Sequence, residues 1–590
     1  MRTLGRRGLA ITMGWLVVAA FGGAVEPTDQ PPRRPRPIVL VDVADEVGLT
    51  FAHSAAVDLD PRHWLMVESF GSGVAVVDID RDGWDDVVLG QADGRRDGGR
   101  MVRRSPDRWF RNIGGRFVDV TDAVAPGMVH KAPTMGLAVG DLNADGFADL
   151  VVTTVGRNAA YLNRGDGSFT PHPTYVDDDP VFSASAAIGD LDGDAISDIV
   201  EVNYGRMEDL MDVRFDNAGR RRQRRPTEIT PAVDRVRRQS AAGAFRDKAF
   251  DPDAASTGLG VAVGRFGSPG ERRSAWNPID VFIANDSRPN HWWTRRDDTW
   301  IDVAAVIGVA DNHQGLPTAC MGVAATDVDR DLRCDLLITN YAGEPASVYV
   351  SGGRGIAGTP TRYVDRCVAM GVAGATTPHV GFGCRATDLN GDGWEDLILV
   401  NGHVDPTFGP PAAPTQIGAR STAGFDWTAI DVDTDAAWRR RRVGRTAAVI
   451  DYDRDRDADV IAGFLDAPVA LLENRTPAAA DRLRIVAVGR RSARDPVGTV
   501  VDVRIGENRP PRRFWMNVDG YLTGGPLMAD VSLPRGLAAA RLAAAGGRNR
   551  VEVTVHWPDG GRQTVSLSRR DADYLIVQDQ PPWRFSMPSR

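Results

Sequence analysis

Short apolar runs recur along this chain of 590 residues, and one polar pattern leads into each of them. Val87–Leu89, Leu150–Val152, Ile199–Val202 and Leu397–Val400 each follow a nine-residue stretch with Asp or Asn at positions one, three, five and nine. Runs of this length between turn-forming residues read as buried strands. A glycine-rich apolar run precedes the stretch, as in Met135–Gly140, and a third strand follows, as at Ala159–Asn163 or Ser347–Val350. A fourth has the form F-x-D-V, as at Phe117–Val120, Trp300–Val303 and Tyr363–Asp365. The pattern predicts units of four short strands.

The polar stretches have the form of cation loops. Asp388-Leu-Asn-Gly-Asp-Gly-Trp-Glu-Asp396 carries oxygens on Asp388, Asn390, Asp392 and Asp396, with glycine at position six. Calcium takes roughly six to eight oxygen ligands, and glycine permits the tight turn that folds them inward. The same four positions hold Asp78, Asp80, Asp82 and Asp86 in the first loop, and Asp141, Asn143, Asp145 and Asp149 in the second. They hold Asp190, Asp192, Asp194 and Asp198 in the third, and Asp327, Asp329, Asp331 and Asp335 in the fourth. The last loop has Asp451, Asp453, Asp455 and Asp459. An EF-hand is excluded, because its glutamate position is Leu399 here and the flanks are strand-like. The expectation is up to six structural calcium ions, each also bound by a backbone carbonyl at position seven. Position six is Gly83, Gly146 and Gly393 in three loops but Ala195, Leu332 and Arg456 in the others, so those three sites should be weaker.

The loops begin at residues 78, 141, 190, 327, 388 and 451, with gaps of 63, 49, 137, 61 and 63 residues. The long gap hides a further unit. Gly258–Gly264 and Ile279–Asn285 match the strands that flank a loop, while Arg265–Arg273 between them has lost the carboxylates. Seven units of roughly 60 residues predict an all-β fold, a seven-bladed β-propeller. The seventh runs through Thr446–Ile450, Val460–Phe464 and Val469–Leu472 and lacks a fourth strand, which Val39–Val43 is expected to supply, removing an open edge. Met207–Arg238, with its basic run Arg220–Arg225, reads as a solvated, helix-permissive insertion, and His403–Gly424 as a loop. The third strand of the sixth unit is expected near Phe425–Trp427. Beyond Arg482 the strands Leu483–Val488, Gly498–Ile505, Arg513–Asn517 and Val551–Trp557 carry no acidic loops. The expected organisation is a signal peptide over 1–24, a linker over 25–37, the propeller over 38–476 and a small all-β domain over 482–580.

Charge sharpens this picture. The formal charge of −9 becomes −12 without residues 1–24, which carry three arginines, and six bound calcium ions would neutralise it. The acidity therefore reads as unfilled metal loops rather than a surface for a basic partner. Arg2, Arg6 and Arg7 before the apolar stretch Leu9–Phe21 and the small residues Gly22–Ala24 read as a secretory signal peptide, with a retained anchor as the alternative. No later segment could span a membrane. Only Lys131 and Lys248 are lysines, a bias that lowers the weight of basic runs, and no nucleic-acid partner is expected. Cys320, Cys334, Cys367 and Cys384 allow two disulfides in an exported chain, or four buried thiols.

The acidic loops resemble the FG-GAP or VCBS-type repeats also seen in integrin α-chain propellers. The C-terminal region is similar to the cartilage acidic protein and UnbV (ASPIC/UnbV) family, on Asp495–Val501, Gly520–Leu522 and Val551–Gly560. Asn401–Val404 also resembles a segment those proteins carry. The resemblance implies a secreted, periplasmic or cell-envelope calcium-binding propeller with no settled reaction. The missing aspartates of unit four and the three replaced glycines depart from the pattern.

No catalytic constellation stands out. H-E-x-x-H, G-x-S-x-G and a phosphate-cradling loop are all absent from the sequence, and the nine histidines show no ligand spacing. His403 reads as a satisfied structural histidine, with a ligand or base in a propeller mouth as the alternative. Carboxylates that share a cation stay ionised, which suits them poorly to act as general acids. The expectation is an exported scaffold that binds protein or glycan rather than an enzyme. The alternative is a propeller enzyme acting on polysaccharide or another extracellular polymer.

Overall fold

The computed structural model describes residues 35–585 apart from 55–65, 98–99, 178, 213, 216, 220, 268–275, 353–360, 405–411, 428–439, 479, 506–510, 535–550 and 569–571. The expected signal peptide lies outside these residues. The chain is all-β. Unit one comprises Val74–Val77, Asp86–Leu89, Arg108–Asn112 and Phe117–Asp119, hydrogen-bonded antiparallel in that order. Unit two repeats the arrangement with Thr134–Gly140, Asp149–Gly156, Ala159–Asn163 and Phe169–Pro171. Units four, five and seven start from Gly258–Gly264, Val323–Thr326 and Gly444–Ile450. Unit four keeps its hairpin without the acidic loop, as the sequence implied.

Two assignments differ from expectation. Arg235–Gln239 and Phe245–Ala249 are the outer strands of unit three, following Val181–Gly189 and Asp198–Gly205, so the insertion of that unit ends before Arg235. In unit six the third strand is Gln416–Ser421, paired with Asp396–Asn401 and lying inside the stretch His403–Gly424 expected to be a loop, and Gly424–Asp426, where the third strand was expected, is the fourth. Gln416–Ser421 reads poorly as a strand because its apolar positions, Ile417 and Ala419, are few and Arg420 is among the buried residues.

Unit seven is completed as expected. Leu40–Asp42 pairs antiparallel with Ala470–Asn474, with Leu40 opposite Asn474 and Asp42 opposite Leu472. The first strands of successive units pack against one another in sequence order, and Gly444–Ile450 returns to Val74–Val77. All four cysteines are buried free thiols, so the disulfide alternative does not hold. Cys320 and Cys334 pack in one apolar cluster, Cys367 and Cys384 in another.

From Ala480 two further sheets enclose their own core around Leu483, Val501, Val553, Trp557 and Tyr574. One orders Met528–Pro534, Ala480–Val488, Ala572–Val577 and Trp583–Phe585; the other orders Arg512–Met516, Thr499–Ile505, Val551–His556 and Arg562–Leu567. This region does not merely follow the units. Its strand Val518–Tyr521 leaves it and pairs with the inner edge of Gly258–Gly264.

Candidate metal loops and the face they share

Each acidic loop is folded by its own side chains in one repeated pattern. The position-one carboxylate accepts the N–H of position six, from Gly83 to Asp78 at 2.8 Å, from Leu332 to Asp327 at 2.9 Å and from Gly393 to Asp388 at 2.6 Å. Asp141, Asp190 and Asp451 do the same for Gly146, Ala195 and Arg456. Position three accepts the N–H of position five, and position five that of position seven, as from Asp82 to Asp80 (3.3 Å) and from Trp84 to Asp82 (2.9 Å). Asn143 and Asn390 serve as well as aspartate here.

Position six is left-handed in all six loops, with φ of 84° at Gly83, 72° at Ala195, 67° at Leu332 and 70° at Arg456. Position four is left-handed too, at Arg81, Ala144, Gly193, Arg330, Gly391 and Arg454, which the sequence pattern did not reveal. A non-glycine residue in this region costs roughly 1–2 kcal/mol.

The position-nine aspartates have a further role that sequence reasoning missed. Each joins its loop to the third strand of its unit. Asp86 accepts the N–H of Ile79 (3.0 Å) and of Asn112 (2.7 Å), and Asp149 those of Leu142 and Asn163 (both 2.8 Å). Asp198, Asp335, Asp396 and Asp459 repeat this with Gln239, Ser351, Arg420 and Asn474. The asparagine beside the bond then reaches the preceding unit. Asn112 Nδ2 donates to the carbonyl of Tyr452, Asn163 to that of Ile79 and Asn474 to that of Leu389. In unit six Arg420 Nε plays this part, donating to the carbonyl of Val328 in unit five. The signal in the sequence was the asparagine ending the third strand.

Three ligand-type oxygens come within 4.8 Å of one another in four loops: on Asp78, Asp80 and Asp86; on Asp190, Asp192 and Asp194; on Asp327, Asp329 and Asp335; and on Asp451, Asp453 and Asp459. The other two loops hold an amide at position three. Oδ1 of Asp78 and of Asp141 is buried without a hydrogen-bond partner, which suits a cation. Burial first, and neighbouring carboxylates after it, raise Asp78 to about 6, Asp86 to about 8, and Asp149, Asp198 and Asp327 to about 7. Arginines take part of this charge. Arg111 pairs with Asp80 and Asp82, Arg238 with Asp192, and Arg484 with Asp451.

The C-terminal region covers this face. The N–H of Asp141 donates to Asp495 (2.8 Å), Arg513 donates to the carbonyl of Leu332 (2.8 Å), and Arg456 pairs with Asp573 (3.2 Å). Where unit four has lost its carboxylates, Arg265 donates to the carbonyls of Trp557 and Pro558, each at 3.3 Å. Its N–H bonds Asn517 (3.0 Å). Unit four thus offers the C-terminal turn a docking arginine at the place where the other units carry acidic loops. A cavity of about 230 Å³ remains between the two regions, lined by Asp85, Arg385, Glu395, Arg484, Asp519 and Asp530 among others.

The histidine of unit six lies elsewhere. His403 Nε2 is 3.3 Å from the Tyr341 hydroxyl, beside the apolar cluster that includes Phe382 and Tyr521. Among the described residues, the basic run pairs with carboxylates that flank it in the same insertion, Arg222 with Glu228 and Arg224 with Asp209 and Asp212.

A family model described as an FG-GAP-like repeat matches residues 78–152 and 141–201, the first three acidic loops and the strands they enter. No curated protein matches the chain in sequence. Among solved structures it is similar to the BP39L lectin from Burkholderia pseudomallei, at 12% identity and a TM-score of 0.38 over 69% of this chain and 97% of that one. It is also similar to an Agrocybe aegerita lectin that recognises non-reducing terminal N-acetylglucosamine, at 13% identity and a TM-score of 0.35 over 67% and 86%. The exotype rhamnogalacturonan lyase YesX matches at 12% identity and a TM-score of 0.31, over 85% of this chain and 90% of that one. FG-GAP-like repeats are therefore present in an all-β chain.

Proposed function

We propose that this chain is an exported, calcium-stabilised seven-bladed β-propeller that serves as a scaffold for a protein or glycan partner, with a C-terminal domain of the cartilage acidic protein and UnbV type. The observation that carries the reading is the sixfold repetition of one loop geometry, in which converging carboxylates are desolvated and partly unpaired. Crowded carboxylates favour a hard dication, and the oxygen-only ligand set favours calcium over zinc or copper. The sequence-order packing of first strands, returning from unit seven to unit one, supports a closed ring. The N-terminal strand on unit seven supports the same closure. The apolar stretch after Arg2, Arg6 and Arg7 supports export to a compartment where calcium is abundant.

Calcium bound only by the folded chain stabilises it by mass action. Chelation with EDTA should lower the melting temperature markedly, and elemental analysis should find up to one calcium per intact loop. Unchanged melting with no calcium would reject the metal reading. A glycan and protein array probed with and without EDTA tests the scaffold role, because a scaffold binds without turnover and loses its partner as the loops empty.

A further inference from the structure

Outside the acidic loops, one cluster among the described residues mixes nitrogen, oxygen and sulfur. Asp365 ends the fourth strand of unit five, Tyr363–Asp365. Its Oδ1 accepts the backbone N–H of Val348 and of Cys367, both at 3.0 Å, which fixes the carboxylate. Its Oδ2 accepts the backbone N–H of His313 at 3.3 Å and lies 3.7 Å from His313 Nδ1. The Sγ of Cys367 is 3.7 Å from the same Nδ1. The three ligand atoms all lie within 4.8 Å of one another.

These separations decide the chemistry. Ligands about 2.0–2.3 Å from a tetrahedral zinc ion stand roughly 3.3–3.8 Å apart, so a small contraction brings the set onto one ion. Calcium would need many more oxygens, whereas imidazole and thiolate select borderline cations. Cys367 is buried in an apolar cluster, while the His313 side chain is 28% exposed, leaving an approach from solvent. We propose that His313, Asp365 and Cys367 form a binding site for a zinc-type divalent cation, held through Nδ1, Oδ2 and Sγ with one position open to water. Binding releases the thiol proton and ties the turn after unit four to the outer strand of unit five. The site is independent of the calcium loops, which share none of its residues.

The test uses the full chain with its acidic loops saturated by calcium, titrated with cobalt(II) as the probe. One equivalent should give a thiolate-to-cobalt charge-transfer band that zinc abolishes. Cys367→Ser should lose the band, His313→Ala should weaken cobalt binding at least about ten-fold, and Cys320→Ser should keep it. His313→Ala carries the decision if the buried Cys367→Ser variant fails to fold, since His313 is solvent-accessible. Cobalt uptake without a thiolate band, a band that survives Cys367→Ser, or a folded His313→Ala protein that binds like the parent each overturns the proposal.

Discussion

At the residue scale, the loops separate what a sequence pattern displays from what it conceals. The carboxylates at positions one, three, five and nine were visible because they recur at one fixed spacing in six loops. The left-handed turn at position four was not, because glycine stands there only at Gly193 and Gly391, while Arg81, Ala144, Arg330 and Arg454 hold it in the other loops. Position six shows how strongly the surrounding hydrogen bonds hold the loop. Leu332 keeps φ at 67° because its N–H is tied to Asp327 at 2.9 Å. Relieving that strain with Leu332→Gly should raise the melting temperature and tighten calcium at unit five by about 1 kcal/mol, or about five-fold. Gly393→Leu should weaken unit six by a similar factor. Calorimetric titration with calcium, run on both variants, checks this, and the glycine loops should fill first. Equal affinities with no response to either swap would mean that the turn is not what limits binding.

At the element scale, strands were legible wherever glycine-rich apolar runs flanked a loop, including unit four after its loop was lost. Gln416–Ser421 was not, because its pairing with Asp396–Asn401 supplies what its composition does not. The N-terminal strand was legible from the missing fourth strand of unit seven. Deleting Val39–Val43 should leave the Ala470–Asn474 edge unpaired and cause aggregation or a large loss of stability, seen by light scattering and thermal melting. A second element-scale bond lies in the C-terminal sheet, where Asp502 stands opposite Arg513. Arg513 donates to both of its oxygens, at 2.6 and 2.9 Å, and His556 Nε2 lies 3.0 Å from one of them. Although burial opposes it, the bonds from His556 and Arg513 lower Asp502 to about 2. A carboxylate held below its unfolded value stabilises the fold above that value, and the contribution is lost as pH falls through the folded one. Asp502→Asn should therefore melt earlier than the parent at neutral pH, and the gap should close between about pH 4 and about pH 2. A gap that stays constant over that window would assign the effect to packing instead.

At the scale of the whole molecule, the C-terminal region is part of the core of the repeat array, and no local pattern could have said so. Gly520-Tyr-Leu522 stood out in the sequence only through its resemblance to a family segment, yet Tyr521 and Leu522 are fully buried among the first strands of the repeat units. Tyr521 donates its hydroxyl to the carbonyl of Phe70 at 2.9 Å. Leu522 accepts from the N–H of Leu137 at 3.2 Å and donates its own N–H to Ser185 Oγ at 3.0 Å. Gly524 exchanges hydrogen bonds with Val74 and Val76, both at 3.1 Å, and Asp519 accepts the N–H of Ala325 at 2.7 Å. One segment therefore touches units one, two, three, four and five, and Arg385 of unit six bonds Thr523. The close fit requires glycine at Gly73, where a Cβ would sit 2.0 Å from the Leu522 carbonyl. Such a segment should make the two regions unfold together. Tyr521→Phe removes one buried hydrogen bond and should cost about 1 kcal/mol. Tyr521→Ala also opens a cavity and should cost about 3–5 kcal/mol. Differential scanning calorimetry on both variants, with calcium present, should show one cooperative transition shifting down in that order. Two separated transitions in the parent protein, or a Tyr521→Ala variant that melts with it, would mean that the segment rests among the repeat units without holding them together.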